Sequence, residues 1–339
     1  MLDDTVRHNT SLYPILETRT TDAPPTPLTE RRPSAIVSTV TSEPSSAAPP
    51  APRFTWSAAA DLIRLRNQSG TWLLLLPSLW SLVLANQGRP AVSLVAIFIA
   101  GAFIMRSLGV VLNDLADREF DRQISRTVTR PLASGRLSVH QALAIAAVLL
   151  LAAAGLVLLL NPLTLWLSPI AVLLAAGYPL MKRWIHLPQA VLGVAFGWGT
   201  IMGWAASRGT VELPAWLLFG ATVCWAVAYD TIYALQDRED DRRVGVKSSA
   251  LWFGDHVPTA VALCLAGMLG CLVLAGLVSG LGYAYYAMLL IAAGIFALQL
   301  QKLQRPLTQP EAFAMFYEHI YAGAAILIGL WLGWNSVTG

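Results

Sequence analysis

The sequence is poor in charged residues. Asp, Glu, Lys and Arg together make up 13% of its 339 residues, whereas 55% of the residues are hydrophobic. Soluble domains carry roughly 25% charged residues, so this composition excludes an ordinary soluble fold. The mean hydropathy of +0.57 agrees with that reading. The sequence therefore predicts an integral membrane protein embedded in a lipid bilayer.

Residues that bind soft metals or nucleic acids are also scarce. The three cysteines, Cys224, Cys264 and Cys271, all lie in apolar runs, where a thiol behaves as a small buried hydrophobe. The five histidines are scattered without metal-ligand spacing, and we expect them at surfaces or interfaces. The net charge of +3 is too small to indicate binding to nucleic acid. A disulfide framework, a thiolate metal site and a nucleic-acid partner are therefore not predicted.

Composition divides the chain into two parts. Residues 1–55 are rich in Pro, Thr, Ser and Ala and contain no long apolar run. Such a segment cannot bury enough apolar surface to offset the entropy lost on ordering. We expect a disordered arm at residues 1–55 and an intramembrane domain at residues 56–339.

The second part contains nine apolar runs of roughly the ~20 residues that cross a bilayer. They lie at 71–86, 91–112, 139–160, 163–181, 188–206, 215–235, 257–280, 283–301 and 316–335. Basic residues concentrate in alternate connections, and the opposite connections hold only Arg89 and Arg208. Because basic loops stay on the cytoplasmic side, this pattern predicts nine transmembrane helices with a cytoplasmic N-terminus.

Acidic residues collect at the ends of the second and sixth runs. Asn113, Asp117 and Asp121 form a first cluster with a spacing of four residues, and Asp237 and Asp241 repeat that spacing in a second cluster. Residues four apart are neighbours on one face of a helix. The spacing and the topology together predict two oxygen-rich stripes that face the same, cytoplasmic, side.

Oxygen ligands without nearby His or Cys suit Mg²⁺, which proteins hold through a few carboxylates and the phosphates of a substrate. The two clusters therefore predict Mg²⁺ bound together with a diphosphate substrate. Nearby basic side chains are suited to pair with the phosphate oxygens. These candidates are Arg106, Arg118, Arg122, Arg126, Arg130, Lys182 and Arg183.

Two charged residues lie inside apolar runs. Arg106 is in the second run and Asp230 in the sixth. A charge at the centre of a bilayer costs at least ~2.5–3.5 kcal/mol, so such residues are predicted to be functional. Tyr233 lies on the face of Asp230 and offers a hydroxyl group. A purely structural role for Asp230 and a solvated-loop role for the other charges remain the alternatives.

Two long motifs resemble the signatures of one family. The segment NDLADREFD at 113–121, preceded by MRS at 105–107 and followed by RPLASG at 130–135, is similar to the first signature of the UbiA superfamily of intramembrane aromatic prenyltransferases. The segment YDTIYALQDREDD at 229–241, with GVKS at 245–248, resembles the second signature in its 4-hydroxybenzoate polyprenyltransferase branch. The segment YPLMKR at 178–183 agrees with the same branch.

The resemblance implies a fold of nine helices around a central cavity, capped on the cytoplasmic side and open sideways to lipid. It implies that Asn113, Asp117 and Asp121 bind one Mg²⁺ and that Asp237 and Asp241 bind another. The implied reaction moves a polyprenyl group from polyprenyl diphosphate to the ring carbon ortho to the hydroxyl of 4-hydroxybenzoate. Ubiquinone biosynthesis at a bacterial plasma membrane is the expected setting.

For the acceptor side of this reaction, we expect Arg64 to bind the benzoate carboxylate. Asp230 or the pyrophosphate product is expected to remove the ring proton. The same motifs allow another acceptor, such as homogentisate, a naphthoate, chlorophyllide or haem. Carboxylates in a membrane cavity also suit a divalent-cation transporter, and a structural membrane scaffold is a third possibility.

Overall fold

The computed structural model describes residues 54–336, apart from the side chains of Lys182 and Asn335, and this part of the chain contains helices and no strands. The helices are α1 Trp56–Leu62, α2 Ser69–Ala85, α3 Val92–Ala116, α4 Arg118–Asp121, α5 Val139–Val157, α6 Pro162–Trp184, α7 Pro188–Arg208, α8 Leu213–Ala234, α9 Arg238–Val244, α10 Ser249–Phe253, α11 Val257–Ser279, α12 Tyr283–Lys302 and α13 Gln309–Asn335. Short 3-10 turns lie at Leu235–Asp237 and Gly254–His256. The predicted arm at residues 1–55 lies outside the described residues except for its last two positions.

Within the described residues, eight helical segments are long and apolar enough to cross a membrane. They begin in α3 and continue through α13, with α8 and α9 forming one segment and α10 and α11 another. Helix α2 is apolar as well, but it has 17 residues. The prediction of an all-α integral membrane protein is confirmed, whereas the ninth span and the cytoplasmic N-terminus stay predictions.

The helix ends follow from local sequence chemistry. At the start of α5, Ser138 accepts a hydrogen bond from the backbone N–H of Gln141, whose side chain accepts one from the backbone N–H of Ser138. These bonds satisfy amide groups that have no partner inside the helix. Asn161 caps α6 in a similar way, with Pro162 in the first turn. Gly209 ends α7 with a φ of +69°, which residues with a Cβ atom rarely adopt.

Helix α8 is the centre of the packing, because it contacts α2, α7, α11 and α13. Trp225 of α8 is fully buried, and its ring centroid lies 5.0 Å from that of Trp80 in α2. Its Nε1 donates a hydrogen bond to Nδ1 of His319, at 2.8 Å. His319 is fully buried, so the surface or interfacial position expected for the histidines is wrong for this residue. The bond from Trp225 gives its Nδ1 a hydrogen-bond partner inside the aromatic core.

Helices α5 and α6 pack less closely than the rest. The buried residues of α5 are three alanines, Ala142, Ala146 and Ala153. Exposed side chains cover the outer surfaces of both helices, including Leu151 and Trp166. With α3, these two helices form the wall opposite the α8 core, and the space between the two sides becomes the cavity described below.

We expect close contact between α7 and α8 to depend on Gly193. A Cβ atom at Gly193 would lie 2.9 Å from the backbone Cα and O of Val223. Overpacking of this kind costs about 1–3 kcal/mol, more than the roughly 0.5–1 kcal/mol that Ala gains over Gly in a helix. Gly193→Ala should therefore lower the thermal unfolding midpoint of the protein in detergent or nanodiscs.

Gly270→Ala in α11 is the matched control, because a Cβ atom there meets nothing within 4 Å. It should leave the midpoint unchanged or raise it slightly. Equal midpoints for the two variants would contradict the close α7–α8 approach.

Candidate active site

A cavity of about 720 Å³ lies between the α8 core and the wall of α3, α5 and α6. Its polar end is formed by the ends of α3 and α8 and by the connections that follow them. Its other end is apolar and is lined by Ile97, Phe98, Leu150, Val157, Leu160 and Val172, among other residues. The cavity therefore joins a charged head region to a long apolar chamber.

Most of the side chains predicted for the site line this cavity. They are Arg64, Arg106, Asn113, Arg126, Arg130, Asp230, Tyr233, Asp237 and Asp241. Asp117 and Asp121 are buried, with 7% and 4% of their area exposed, and do not line the cavity. The fold thus brings the two acidic clusters to the same end of one cavity.

The first cluster bends where α3 ends. Helix α3 stops at Ala116, and Asp117 forms the junction with the short helix α4. The backbone N–H of Asp117 still donates to the carbonyl of Asn113, and that of Asp121 donates to Asp117, both at 2.8 Å. The spacing of four residues is retained through the junction, so the three side chains stay close although they do not share one continuous helix.

Asp114 is the most heavily paired carboxylate at this end of the cavity. It is 1% exposed, and Nη2 of Arg64 donates to its two oxygens at 2.9 and 2.8 Å. Nη1 of Arg130 donates to it at 3.2 Å. The sequence analysis assigned Asp114 no role, because its two partners lie in separate connections that spacing along one helix does not relate to it.

Arg64 reaches Asp114 because of its local backbone. Leu62, the last residue of α1, is fully buried against α3 and the connection after it, which fixes the position of Arg64. Arg64 then adopts a left-handed φ of +56°, an uncommon conformation for a residue other than glycine. Its Nη1 also donates to the carbonyl of Asp61, at 2.9 Å.

Arg130 joins Asp114 to Asp121. Its Nη1 donates to the two oxygens of Asp121 at 2.8 and 3.1 Å. Burial raises the pKa of the Asp121 carboxyl, and the nearby charge of Arg130 opposes that rise. The pairing therefore helps to keep a buried carboxylate ionised.

Arg126, in the connection that follows the first cluster, pairs with the second cluster. Nε of Arg126 donates to Oδ1 of Asp237 at 2.8 Å, and its Nη2 donates to the other oxygen. Nη1 donates to the hydroxyl of Tyr233, at 3.1 Å, and the guanidinium lies over that ring. Burial alone would lower the pKa of Arg126, but its bonds to Asp237 raise that pKa above its ordinary value.

Three of the predicted phosphate ligands do not line the cavity and instead lie in or contact residues 117–138 between α3 and α5, which we call the cap. Arg122 donates to Glu119 at 2.9 Å and to the carbonyl of Ala133. Arg118 lies 3.9 Å from Glu119. Arg183 donates to the carbonyl of Ala116 at 2.6 Å and lies over the ring of Phe120. The side chain of Lys182 lies outside the described part of the structure.

The donor set at the polar end suits a hard cation. Asn113, Asp230, Asp237 and Asp241 all present oxygen atoms to the cavity, with no cysteine or histidine among the lining residues. In residues 54–336, no three His, Cys, Asp or Glu side chains come close enough to hold a metal by themselves. Mg²⁺ is normally held by one or two carboxylates with waters and substrate phosphates, so these residues fit it as part of a complex with a diphosphate.

Four further lining residues were not singled out from the sequence: Tyr178, Gln189, Tyr229 and Ser248. The hydroxyl groups of Tyr229 and Ser248 are buried without a hydrogen-bond partner in the described structure. Each of these residues lies inside or beside a motif segment. The sequence alone does not show whether an uncharged side chain there lines a cavity or packs between helices.

Comparisons with known proteins point to one family. The model of the UbiA prenyltransferase family matches residues 74–320. A protein from Alkalilimnicola ehrlichii named 4-hydroxybenzoate octaprenyltransferase is 48% identical over 273 residues, which cover 80% of this chain and 93% of that protein.

Solved structures agree in fold. A UbiA homolog from Aeropyrum pernix has a TM-score of 0.65 at 24% identity, covering 79% of this chain and 98% of that one. A UbiA homolog from Archaeoglobus fulgidus bound to GPP and Mg²⁺ has a TM-score of 0.57 at 13% identity, covering 80% and 99%. At these identities the likeness establishes the fold.

We expect the Asp114 pairs to stabilise the cap. Asp114→Asn removes the charge that two arginines share, and breaking a buried ion pair typically costs about 3–5 kcal/mol. The unfolding midpoint should therefore fall, and limited proteolysis between α4 and α5 should become faster. Glu119→Gln is the control, since Glu119 is exposed and its pairs contribute about 0–1 kcal/mol. Similar losses of stability in both variants would contradict a special role for Asp114.

Proposed function

The chain belongs to the UbiA prenyltransferase family, and from this premise we propose that it transfers a polyprenyl group from polyprenyl diphosphate to 4-hydroxybenzoate. The new bond forms at the ring carbon ortho to the hydroxyl, and Mg²⁺ is the cofactor. The proposal draws on the curated 4-hydroxybenzoate octaprenyltransferase that is 48% identical over most of its length. We also propose a role in ubiquinone biosynthesis at a bacterial plasma membrane, with the polar end of the cavity on the cytoplasmic face.

One observation supports this function above the others, namely the division of the cavity into a charged end and an apolar chamber. A polyprenyl diphosphate has the same division, with an anionic head and a long hydrocarbon tail. The head would lie among Asn113, Asp237 and Asp241, and the tail along α3, α5 and α6.

Bound Mg²⁺ would supply charge that stabilises the departing pyrophosphate. Asn113, Asp117, Asp121, Asp237 and Asp241 would hold it together with the phosphates. The guanidinium groups of Arg126 and Arg130 lie at the same end and can pair with phosphate oxygens. These residues would therefore place the diphosphate and neutralise it before the reaction begins.

In the proposed reaction, the bond between the allylic carbon and the diphosphate oxygen breaks, and its electron pair leaves with pyrophosphate. The ring carbon ortho to the phenol then donates an electron pair to the allylic carbon, and the ring loses a proton. Asp230 lines the cavity and is our candidate for receiving this proton, with pyrophosphate as the alternative. The apolar walls exclude water that would otherwise capture the allylic cation.

The cation-transporter alternative fits the charges less well. Asp114, Asp121 and Asp237 are each paired with an arginine at the polar end. Fixed positive charges beside the carboxylates oppose the passage of a free cation but favour a bound anion. The pairing therefore favours a phosphate-binding enzyme.

The direct test is an assay of the protein in membranes with labelled 4-hydroxybenzoate, a polyprenyl diphosphate and Mg²⁺. Asp117→Ala and Asp237→Ala should each lower kcat by about 10²–10³, the usual loss when a group that stabilises developing charge is removed. EDTA should abolish product, Mg²⁺ should restore it, and Zn²⁺ should replace Mg²⁺ poorly.

Glu239→Ala is the matched control, because Glu239 is an exposed carboxylate in the same acidic segment and does not line the cavity. It should retain activity. Full activity of Asp237→Ala, with normal membrane insertion, would refute the metal–diphosphate site.

The apolar chamber gives a separate prediction about the tail. Gly101 lines the cavity on α3, and a Cβ atom there meets nothing within 4 Å. Gly101→Leu should narrow the chamber and lower kcat/KM for long polyprenyl donors more than for geranyl diphosphate. Gly155→Leu on α5 has equally open surroundings but does not line the cavity. It should leave kcat/KM unchanged for both the long polyprenyl donors and geranyl diphosphate. An unchanged donor preference in Gly101→Leu would place the tail elsewhere.

A further inference from the structure

Arg126 occupies both oxygens of the Asp237 carboxylate. Its Nε donates to Oδ1 at 2.8 Å, and its Nη2 donates to Oδ2. Two parallel bonds between a guanidinium and a carboxylate are among the strongest that side chains form. Water screens this pair less than a surface pair, because the two side chains are only 30% and 15% exposed.

Asp237 is also one of the carboxylates proposed to hold Mg²⁺, and the two tasks compete. A metal ion would bind the same oxygen atoms, and a guanidinium at hydrogen-bond distance would repel the ion. Metal binding at Asp237 is therefore unfavourable while Arg126 is paired there.

Arg130 is placed differently. Only its Nη1 is engaged, by Asp114 and by Asp121. Its Nε and Nη2 make no hydrogen bond with the described residues, although Arg130 lines the cavity. Arg130 therefore has donors left for a phosphate group while it keeps its carboxylates, whereas Arg126 uses all three of its nitrogens on Asp237 and Tyr233.

The backbone beside Arg126 is fixed at the first acidic cluster. Thr127 is 2% exposed, and its hydroxyl donates to the carbonyl of Asp121 at 3.0 Å. The backbone N–H groups of Thr127 and Val128 both donate to the carbonyl of Ile124, at 3.0 Å. Arg126 can therefore change partners by rotating its side chain, without a movement of the connection that carries it.

Tyr233 holds the guanidinium of Arg126 independently of Asp237. The Tyr233 hydroxyl accepts a hydrogen bond from Nη1 at 3.1 Å, and Cζ of Arg126 lies 5.4 Å from the centre of the Tyr233 ring. Both residues line the cavity. A guanidinium that leaves Asp237 therefore stays beside the space in which a phosphate group would lie.

We propose that Arg126 is a latch on the second acidic cluster and that a phosphate group opens it. Arg126 moves from Asp237 to a phosphate group of the substrate, which frees the carboxylate of Asp237 for the metal ion. Each new pair again joins opposite charges, so the exchange leaves no unpaired charge at the polar end. The latch keeps the second cluster from taking up a divalent cation by itself. The inference rests on the proposed function, which supplies the diphosphate and the metal ion.

The first test measures binding of the metal alone. Mn²⁺ binds the same oxygen ligands as Mg²⁺, and free Mn²⁺ can be followed by electron paramagnetic resonance during titration of the protein in phosphatidylcholine nanodiscs. Arg126→Gln should bind Mn²⁺ roughly tenfold to a hundredfold more tightly than the unaltered protein, since a charge-assisted pair no longer competes. Arg136→Gln is the control and should bind like the unaltered protein. Arg136 lies in the same connection, pairs with Asp61 at 2.8 Å and does not line the cavity.

Two further variants separate a latch from the simple loss of a positive charge. Arg126→Lys keeps the charge, but an ammonium group lacks the fork that donates two parallel bonds to Asp237. Its Mn²⁺ affinity should therefore rise to an intermediate value. Arg126→Gln combined with Asp237→Asn should lose the gain, because the freed carboxylate is absent. A gain that persists in this double variant, or an Arg126→Lys affinity equal to that of the unaltered protein, would overturn the latch.

Binding of pyrophosphate should change in the opposite direction. Equilibrium dialysis of labelled inorganic pyrophosphate, with EDTA present, should show weaker binding to Arg126→Gln, because the phosphate loses a guanidinium partner. A general loss of structure would weaken the binding of both probes. Tighter Mn²⁺ binding together with weaker pyrophosphate binding therefore identifies the exchange.

These binding measurements are independent of prenylation. Unchanged Mn²⁺ affinity in both Arg126→Gln and Arg126→Lys overturns the latch, even where the protein prenylates 4-hydroxybenzoate. Opposite changes in Mn²⁺ and pyrophosphate affinity support the latch, and a lack of prenylation in the same preparation would then count against the proposed function alone.

Discussion

The structure depends on the pairing of carboxylates with arginines at the edge of the membrane domain. Asp114 is almost fully buried and is shared by Arg64 and Arg130, while Asp237 is held by Arg126. An isolated charge in such surroundings would be strongly unfavourable, so each carboxylate requires its partner. The arginines lie in the connections before α2 and after α4, and the aspartates lie at the ends of α3 and α8. These ion pairs therefore hold the connections across the polar end of the helix bundle.

This closure determines what the cavity can hold. The paired charges form a polar end without filling the space beneath them, and loosely packed α5 and α6 leave an apolar chamber below. On the opposite side, Trp80 of α2 packs against Trp225 of α8, the helix that contacts α2, α7, α11 and α13. The arrangement suits a molecule with an anionic head and a hydrocarbon tail.

Much of the fold could be predicted locally. Each apolar run in the sequence coincides with a helix, because burial in lipid requires a continuous stretch of apolar residues whose backbone hydrogen bonds are satisfied internally. The spacing of Asn113, Asp117 and Asp121 indicated proximity, which the backbone bonds retain even though α3 stops at Ala116. The break itself was not predicted, because the sequence shows no proline or glycine there.

The sequence by itself determined that this is an all-helical membrane protein of the UbiA prenyltransferase family, because hydrophobic runs and long motifs are properties of neighbouring residues. Only the tertiary structure decided the partners of the charges. It gave Asp114 a central part and turned Arg118, Arg122 and Arg183 toward the cap. The physical reason is that ion pairs form between segments that are far apart in the chain. The spacing of residues along one helix does not predict which of these segments meet.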